Sequence, residues 1–580
     1  MDENRQPTRA GVPPGSIADP GGPLVAGALS ALVEAGLDAA IGSLDRQTDF
    51  RRSPQGAADV SVILKGRIDG EARNALTAVF EAWPAVESAR LSKNRLTLRF
   101  TDETLERVAK GLTAHAGDPL QLRGTATGMR ILVDYLDPNA NKALHVGHLR
   151  NIALGGAIAA LWRARGADVA CQSVVCDIGR NIAEALAGVS AAGGLSALSG
   201  SEPVDRIVGR LYGEVAGAVV SDEDGAEADA PIARELTLHG DAADAVLAAW
   251  REGDAETHAL WRETIALVLR DQAATLARLG QRHDLQLRES DAIGPALALA
   301  DRLVDLGLAR REDDGVVILE TGRDDYPRCP LTRSDGFATE HLRALVLWLE
   351  IADGDAPADR IVHVMGEEWL TSTQIRVEAL QALGARAGLE RYRMLAHQLV
   401  RLEGSTMKSS AGNTLLIDDL LDTLAHALPA PLADLPAETQ ARAVAAIALT
   451  PFLIAEAGVA LEIDLAALTD PARNPGFDLA ALALGPAPAA GLLQNDAGRF
   501  ALLQGERLRR VLIQASERDD PVAPARFLAR LAQARRDGDI DPEADAVLQP
   551  QVRAAMTACG LLPDAVPGAD APAAGTSRTG

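Results

Sequence analysis

The stretch from Met129 to Asp177, MRILVDYLDPNANKALHVGHLRNIALGGAIAALWRARGADVACQSVVCD, constrains the fold more than any other part of the chain. The alternating apolar residues Ile131, Val133 and Tyr135 predict a buried strand. A loop with Pro138 and two asparagines follows, and then a helix-period run over 147–165. Gly166 is a helix stop, and 168–175 reads as a second strand. In this strand–loop–helix–strand unit, His145-Val146-Gly147-His148 falls where the helix begins. A helix N-terminus offers free backbone N–H groups and a positive dipole end, which suits phosphate. Two histidines three apart could donate hydrogen bonds to a phosphate chain, most strongly as its charge redistributes during reaction. Two histidines packed at a helix start would give the same tetrapeptide.

At 580 residues the chain has room for about three to four domains of roughly 150 residues. The 47% hydrophobic content supports real cores, and with 3% aromatics these must be built mostly from Ala, Leu and Val. A net charge of −24 argues against a generic nucleic-acid coat, because phosphate contacts need Lys and Arg; it leaves room for a local basic groove. Cys171, Cys176, Cys329 and Cys559 are too few and too scattered for a disulfide framework or a four-thiolate zinc site. Cys171 and Cys176 read as buried small hydrophobes. The sequence opens on no charged-then-apolar signal segment, and no apolar run reaches about 18 residues. The longest apolar candidate, 443–455, is interrupted by Thr450-Pro451. The expectation is a cytoplasmic, monomeric protein with no membrane partner and no resident metal.

Residues 1–22 read as a loose tail, and 23–123 as a small α+β domain. Its predicted elements are a helix over 24–35, a strand over 60–66, a helix over 70–83, a strand over 95–100 and a helix over 102–114. Thr101 suits the N-cap of that last helix, with Glu103 and Glu106 in its first turn. Far downstream, GSTMKSSAGN (404–413) is small, hydroxyl-rich and glycine-containing, carries one lysine, and precedes an amphipathic helix over 416–424. A loop of this make-up can close over a triphosphate, with Lys408 neutralising charge in the transition state.

Together the two loops resemble the HIGH and KMSKS signatures of class I aminoacyl-tRNA synthetases. VDYLDPNANKALHVGHLR and MKSSAGNTLLIDDLL are similar to the arginyl-tRNA synthetase versions, as are LWRETIALVLRDQAATLARLGQRHDLQLRES (260–290) and LTRSDGFATEHLRA (331–344) between them. The resemblance implies an α/β, Rossmann-type catalytic domain over 124–425 with a helical insertion at about 185–290. It also implies a helical anticodon-binding-like domain over 426–565 and a tail over 566–580. It further implies ATP with Mg2+, attack of an amino-acid carboxylate on the α-phosphorus, and transfer of the aminoacyl group to tRNA. His145, His148 and Lys408 would be catalytic. Gly147 would let adenosine approach the backbone, and Met407, Lys408, Ser409 and Ser410 would also contact ATP. Asp134, Asn139 and Glu289 would hold the amino acid, arginine being favoured.

Several positions depart from the family pattern. Its Tyr-x-x-x-Asp, which reads the guanidinium, falls on Glu340 and Ala344, and loss of a buried charged partner costs about 3–5 kcal/mol. Glu340 is a candidate for the missing charge. Glu367 stands where a glutamine is usual, and VMGEEW is similar to the glutamyl and glutaminyl members. His-Val-Gly-Asp-Trp-Gly is replaced by Val174 to Gly179, with only Asp177 and Gly179 kept. The basic positions of the second loop fall on Ser410 and Ala411, and Lys408 sits where a serine is usual. Two alternatives stay open: an adenylate-former with another amino acid or a non-tRNA acceptor, and a non-catalytic paralogue that binds tRNA or protein.

Beyond residue 426, helices are predicted over 437–448, 500–518, 523–535 and 551–559, the last starting after Pro550, and almost no strand. Arg507, Arg509 and Arg510 form a basic cluster where a tRNA backbone could dock, or simply a solvated helix face. No tyrosine lies beyond Tyr392, so this region is poor in rings on which anticodon bases could stack.

Overall fold

A computed structural model of the chain describes residues 22, 24, 27–41, 46–49, 58–65, 68–114, 117–220, 241–353, 358–402, 415–486, 496–540 and 545–564. The loop 404–413, with Met407, Lys408, Ser409 and Ser410, lies outside the described residues. The chain divides into two compact units.

The larger unit, chiefly Ala126–Phe477, is built on a five-stranded sheet. Its strands are β1 (Arg130–Asp134), β2 (Asp168–Val175), β3 (Leu285–Arg288), β4 (Arg360–Gly366) and β5 (Tyr392–His397). They lie in the order β3-β2-β1-β4-β5, every pair parallel. This is the doubly wound α/β arrangement, and its winding reverses between β1 and β4. Strand carboxyl ends at such a reversal open a crevice suited to a ligand. β4 reads RIVHVMG and buries all but its first residue, as a strand covered on both faces must.

Helix α1 (Leu149–Ala164) returns the chain from β1 to β2. It lies so close to the sheet that a Cβ on Gly155 would stand 2.3 Å from the Tyr135 ring, an approach only glycine allows. The predicted helix start at 147 is instead a 3-10 turn, Val146–His148, leading into α1. The insertion between β2 and β3 is helical, with α2 (Arg180–Ala191), α3 (Val204–Val220), Asp241–Glu252 and α4 (Ala255–Arg278). Beyond β3 come α5 (Glu340–Asp353), α6 (Leu370–Ala382) and α7 (Ile417–His426).

The smaller unit contains a four-stranded antiparallel sheet. Its strands lie in the order Arg46–Asp49, Val60–Leu64, Arg95–Phe100, Val86–Ser92. Helices Ala28–Ile41, Gly70–Glu81 and Asp102–Thr113 pack with it, and Thr101 caps the third by accepting from the Thr104 N–H at 3.2 Å. The unit also takes in 478–518 and 523–559, so its boundaries cut the chain differently from the segments 23–123 and 426–565 expected from sequence. Leu502 and Leu503 of helix Asp496–Arg518 join the core of the N-terminal segment. Buried Arg499 donates to Asp59 at 2.6 and 3.2 Å, and the Ser30 hydroxyl donates to Glu506 at 2.6 Å.

Two prolines correct the helix expectations. Helix Ala437–Ile454 runs through Pro451, whose ring frees the Ile447 carbonyl four residues back. That carbonyl accepts from Asn474 Nδ2 at 3.2 Å, which offsets the loss. Pro550 does not start a helix but sits inside Asp545–Ala558, held there by buried Leu548, Val552 and Met556 and by Gln551 donating to the Leu112 carbonyl at 2.8 Å. A short strand, Leu461–Ile463, in the region read as having almost no strand, also pairs with Val400–Leu402. Cys171, Cys329 and Cys559 are buried, and Cys176 is half-buried. No helix among the described residues is long and apolar enough to cross a membrane.

Candidate active site

The HVGH turn sits at the sheet's reversal point. Asn151, in the first turn of α1, accepts from the Leu136 N–H at 2.7 Å and donates to the Val364 carbonyl at 3.1 Å. One side chain thereby clamps the ends of β1 and β4 against the helix that carries the histidines. The His145 and His148 rings stack with centroids 3.9 Å apart. His148 Nδ1 accepts from the His145 backbone N–H at 3.0 Å, which leaves the ring proton on Nε2 as a donor. Burial, with the nearby Lys142 charge, pushes His145 down to about 3. Burial and the charges of His145 and Lys142 hold His148 well below the ordinary imidazole range. Both rings are therefore neutral donors at neutral pH. Gly147 lies within the turn.

The second loop's exit is fastened to this turn. The Val146 N–H donates to the Leu415 carbonyl at 2.9 Å, and the Ile417 N–H to the Leu144 carbonyl at 3.0 Å. Helix α7 begins there and is gripped by the insertion: Arg206 pairs with Asp419 at 2.8 Å, and Arg278 with Asp418 at 2.6 Å and Asp422 at 2.5 Å. The chain directly following 404–413 thus stands beside His145, two motifs far apart in sequence.

The residues expected to hold an amino acid lie at the same strand ends. Asp134 closes β1, fully buried, and accepts from Gln172 Nε2 at 3.0 Å. Burial, and then the neighbouring Asp137 charge, raise its carboxyl well above the usual range. Asn139 bridges to Cys176 at the end of β2, and its carbonyl accepts from Gln272 at 3.1 Å. Glu289 is buried and already paired: Arg343 Nη2 and Nε donate to one of its oxygens at 3.0 and 3.2 Å, and Arg343 Nη1 to the Ala338 carbonyl at 2.6 Å. Its neighbour Ser290 donates twice to Asp177, at 2.9 and 2.7 Å, so the retained aspartate fixes the Glu-Ser pair. Glu340 opens α5 near Cys176; burial raises that thiol well above its ordinary value, and the charges of Glu289 and Glu340 add to the shift. Glu367 leads the turn after β4 and accepts from the Gln398 side chain.

Residues that sequence reading passed over complete this end of the sheet. His363, inside β4, has Nδ1 2.7 Å from the Tyr392 hydroxyl of β5, and its ring stacks on Trp348 at 4.8 Å. Its Nε2 stands 3.8 Å from Asp137 Oδ2. Asp137 Oδ1 accepts from the Val174 N–H at 2.8 Å. A histidine in the otherwise apolar run RIVHVMG was the available signal for this group. In the smaller unit, the Arg507 guanidinium lies 5.3 Å from the Phe527 ring centroid. Arg509 donates to the Gln121 carbonyl at 3.2 Å, and Arg510 pairs with Glu34 at 2.9 Å.

A doubly wound parallel sheet with a two-histidine turn at its reversal point, joined to the exit of a lysine-bearing loop, is the architecture of a class I synthetase catalytic domain. Residues 118–430 match the family described as tRNA synthetases class I (R), catalytic domain, and the chain belongs to that family. Among its relatives, the arginine–tRNA ligase of Treponema denticola is 27% identical over 303 residues, covering 51% of this chain and 48% of that protein. The arginine–tRNA ligase of Bacteroides thetaiotaomicron is 26% identical over 356 residues, 59% of this chain and 57% of that one. The chain thus spans about half the length of the curated relatives it matches. The structure of Thermus thermophilus arginyl-tRNA synthetase shares the fold, with a TM-score of 0.64 at 21% identity over 92% of this chain and 98% of that one.

Proposed function

We propose that this chain is an ATP-dependent ligase that activates an amino acid, arginine first among candidates, and transfers it to tRNA. The observation that carries the reading is the fastening of the second loop's exit, Leu415 to Ile417, to the HVGH turn at the sheet's reversal point. It anchors the chain that leaves the second loop beside the HVGH turn, which supports a shared role for the two motifs. The names of the relatives support arginine and tRNA as substrates. ATP enters as its magnesium complex, and we place the reaction in the cytoplasm, with the chain acting as a monomer.

In this reading an oxygen of the amino-acid carboxylate attacks the α-phosphorus, and the bond to pyrophosphate breaks. The chain supplies positioning and donors rather than a nucleophile. His148 donates through Nε2–H and His145 stacks against it, both neutral, with Lys408 adding positive charge from the second loop. Asp134 and Asn139 orient the amino acid. Glu289, held by Arg343, acts as a fixed wall charge, and Glu340 and Glu367 line the side-chain end. A tRNA backbone docking on Arg507, Arg509 and Arg510 would share guanidiniums that Phe527, Gln121 and Glu34 already hold.

The test is pyrophosphate exchange into ATP across a panel of amino acids, with and without tRNA. Exchange with arginine is expected, and His148→Ala should lower it roughly 10²-fold, the scale of one lost transition-state donor. A normal rate in that variant, or silence with every amino acid, would defeat the reading.

A further inference from the structure

We propose that Asp134, Asp137 and His363 form a binding site for a divalent transition-metal ion at the carboxyl ends of β1 and β4. One donor atom from each residue lies within 4.8 Å of the other two. Ligand atoms on a tetrahedral ion with bonds of about 2.0–2.2 Å stand ~3.3–3.6 Å apart, so a pair near the 4.8 Å limit closes by roughly 1.2–1.5 Å on binding.

Each donor is already aimed by a partner behind it. The Tyr392 hydroxyl holds His363 Nδ1 at 2.7 Å and leaves Nε2 toward Asp137. The Val174 N–H holds Asp137 Oδ1 at 2.8 Å, and the Gln172 amide holds Asp134 Oδ2 at 3.0 Å. Outer contacts of this kind fix ligand orientation in metal sites. A second, independent observation points to a ligand: Asp134 is fully buried, and its Oδ1 has no hydrogen-bond partner. A buried carboxyl oxygen left without a partner costs free energy that a bound cation, displacing the carboxyl proton, offsets. Asp137, 40% exposed, gives the ion a path from solvent.

Two carboxylate oxygens and one imidazole nitrogen suit zinc, cobalt or manganese better than calcium, which takes oxygen ligands alone. Three protein ligands leave at least one coordination position open, as in sites that bind a substrate or water. Arg376 on α6 is the opposing charge: it acts on Asp134, and its Nε is buried without a partner. It lowers the site's affinity for cations and provides a second handle for the test.

The full-length chain, stripped with chelator and dialysed, is titrated with Co2+ and followed by visible d–d absorption, with Zn2+ as the competitor. One saturable Co2+ per chain is expected, displaced by Zn2+. Asp137→Asn, which keeps an acceptor for the Val174 N–H, should weaken binding at least tenfold with an unchanged circular dichroism spectrum. Arg376→Gln should tighten it. No saturable uptake, uptake only in the presence of ATP, or equal affinity in Asp137→Asn would overturn the site. None of these readouts uses ligase activity, so the site and the proposed reaction fail separately.

Discussion

At His148 the backbone sets the chemistry of the side chain. Because Nδ1 accepts the His145 N–H, the ring can offer a phosphate only its Nε2 proton, and burial keeps it from becoming a cation. The unfolded chain takes up these protons near pH ~6.5, whereas folded His145 waits until about 3. The pair's contribution to stability is therefore full above the unfolded value and is lost as pH falls from there toward the folded one. Imidazole NMR should show both rings still neutral well below the ordinary midpoint of about 6.5. A titration near the ordinary value would mean that the turn is open to water and that the histidines act as cations. These two residues were legible in the sequence because turn, glycine and imidazoles lie within four positions. Asp137, His363 and Tyr392 were not, since their meeting needs three strands whose order only the folded sheet defines.

Among the elements, the insertion does more than fill space between β2 and β3. Through Arg206 and Arg278 it grips the acidic first turns of α7, so that helix enters the second loop's exit at a fixed angle. The same junction buries Asp205 beside Asp271 and Asp418; burial, then those two charges, push its carboxyl up to about 7, while Arg206 opposes them. A carboxyl raised in this way is protonated in the folded chain while already ionised in the unfolded one. Stability from Asp205 is thus present below about pH 4 and lost as pH rises toward its folded value. The parent should become easier to denature across that window relative to Asp205→Asn, which has nothing to ionise; parallel profiles would place Asp205 in water. In the larger unit, the first strand, the helix after it and the strand that follows were readable from periodicity, and the strand over 168–175 falls on β2 residue for residue. The helices through Pro451 and Pro550 were not, because local chemistry forbids what Asn474 and a buried face restore.

For the whole molecule, the Rossmann-type sheet was implied by the family resemblance of the two loops, but the composition of the smaller unit was not. Its core joins the first hundred residues to helices near the end of the chain, and no local pattern in either segment announces the other. Arg499 is the junction. It is nearly fully buried against Asp59, and its removal strands a carboxylate inside the core. Arg499→Ala should cost about 3–5 kcal/mol in urea unfolding of that unit. An unchanged midpoint would mean that the two segments are held by apolar packing alone. The larger unit carries its own optical probe. Of the six tryptophans in the chain, Trp348 lies flat against His363, so any event that places positive charge on that imidazole also alters the emission of the indole above it. The occupant of the strand ends can be watched by its light, without a label and before any product has formed.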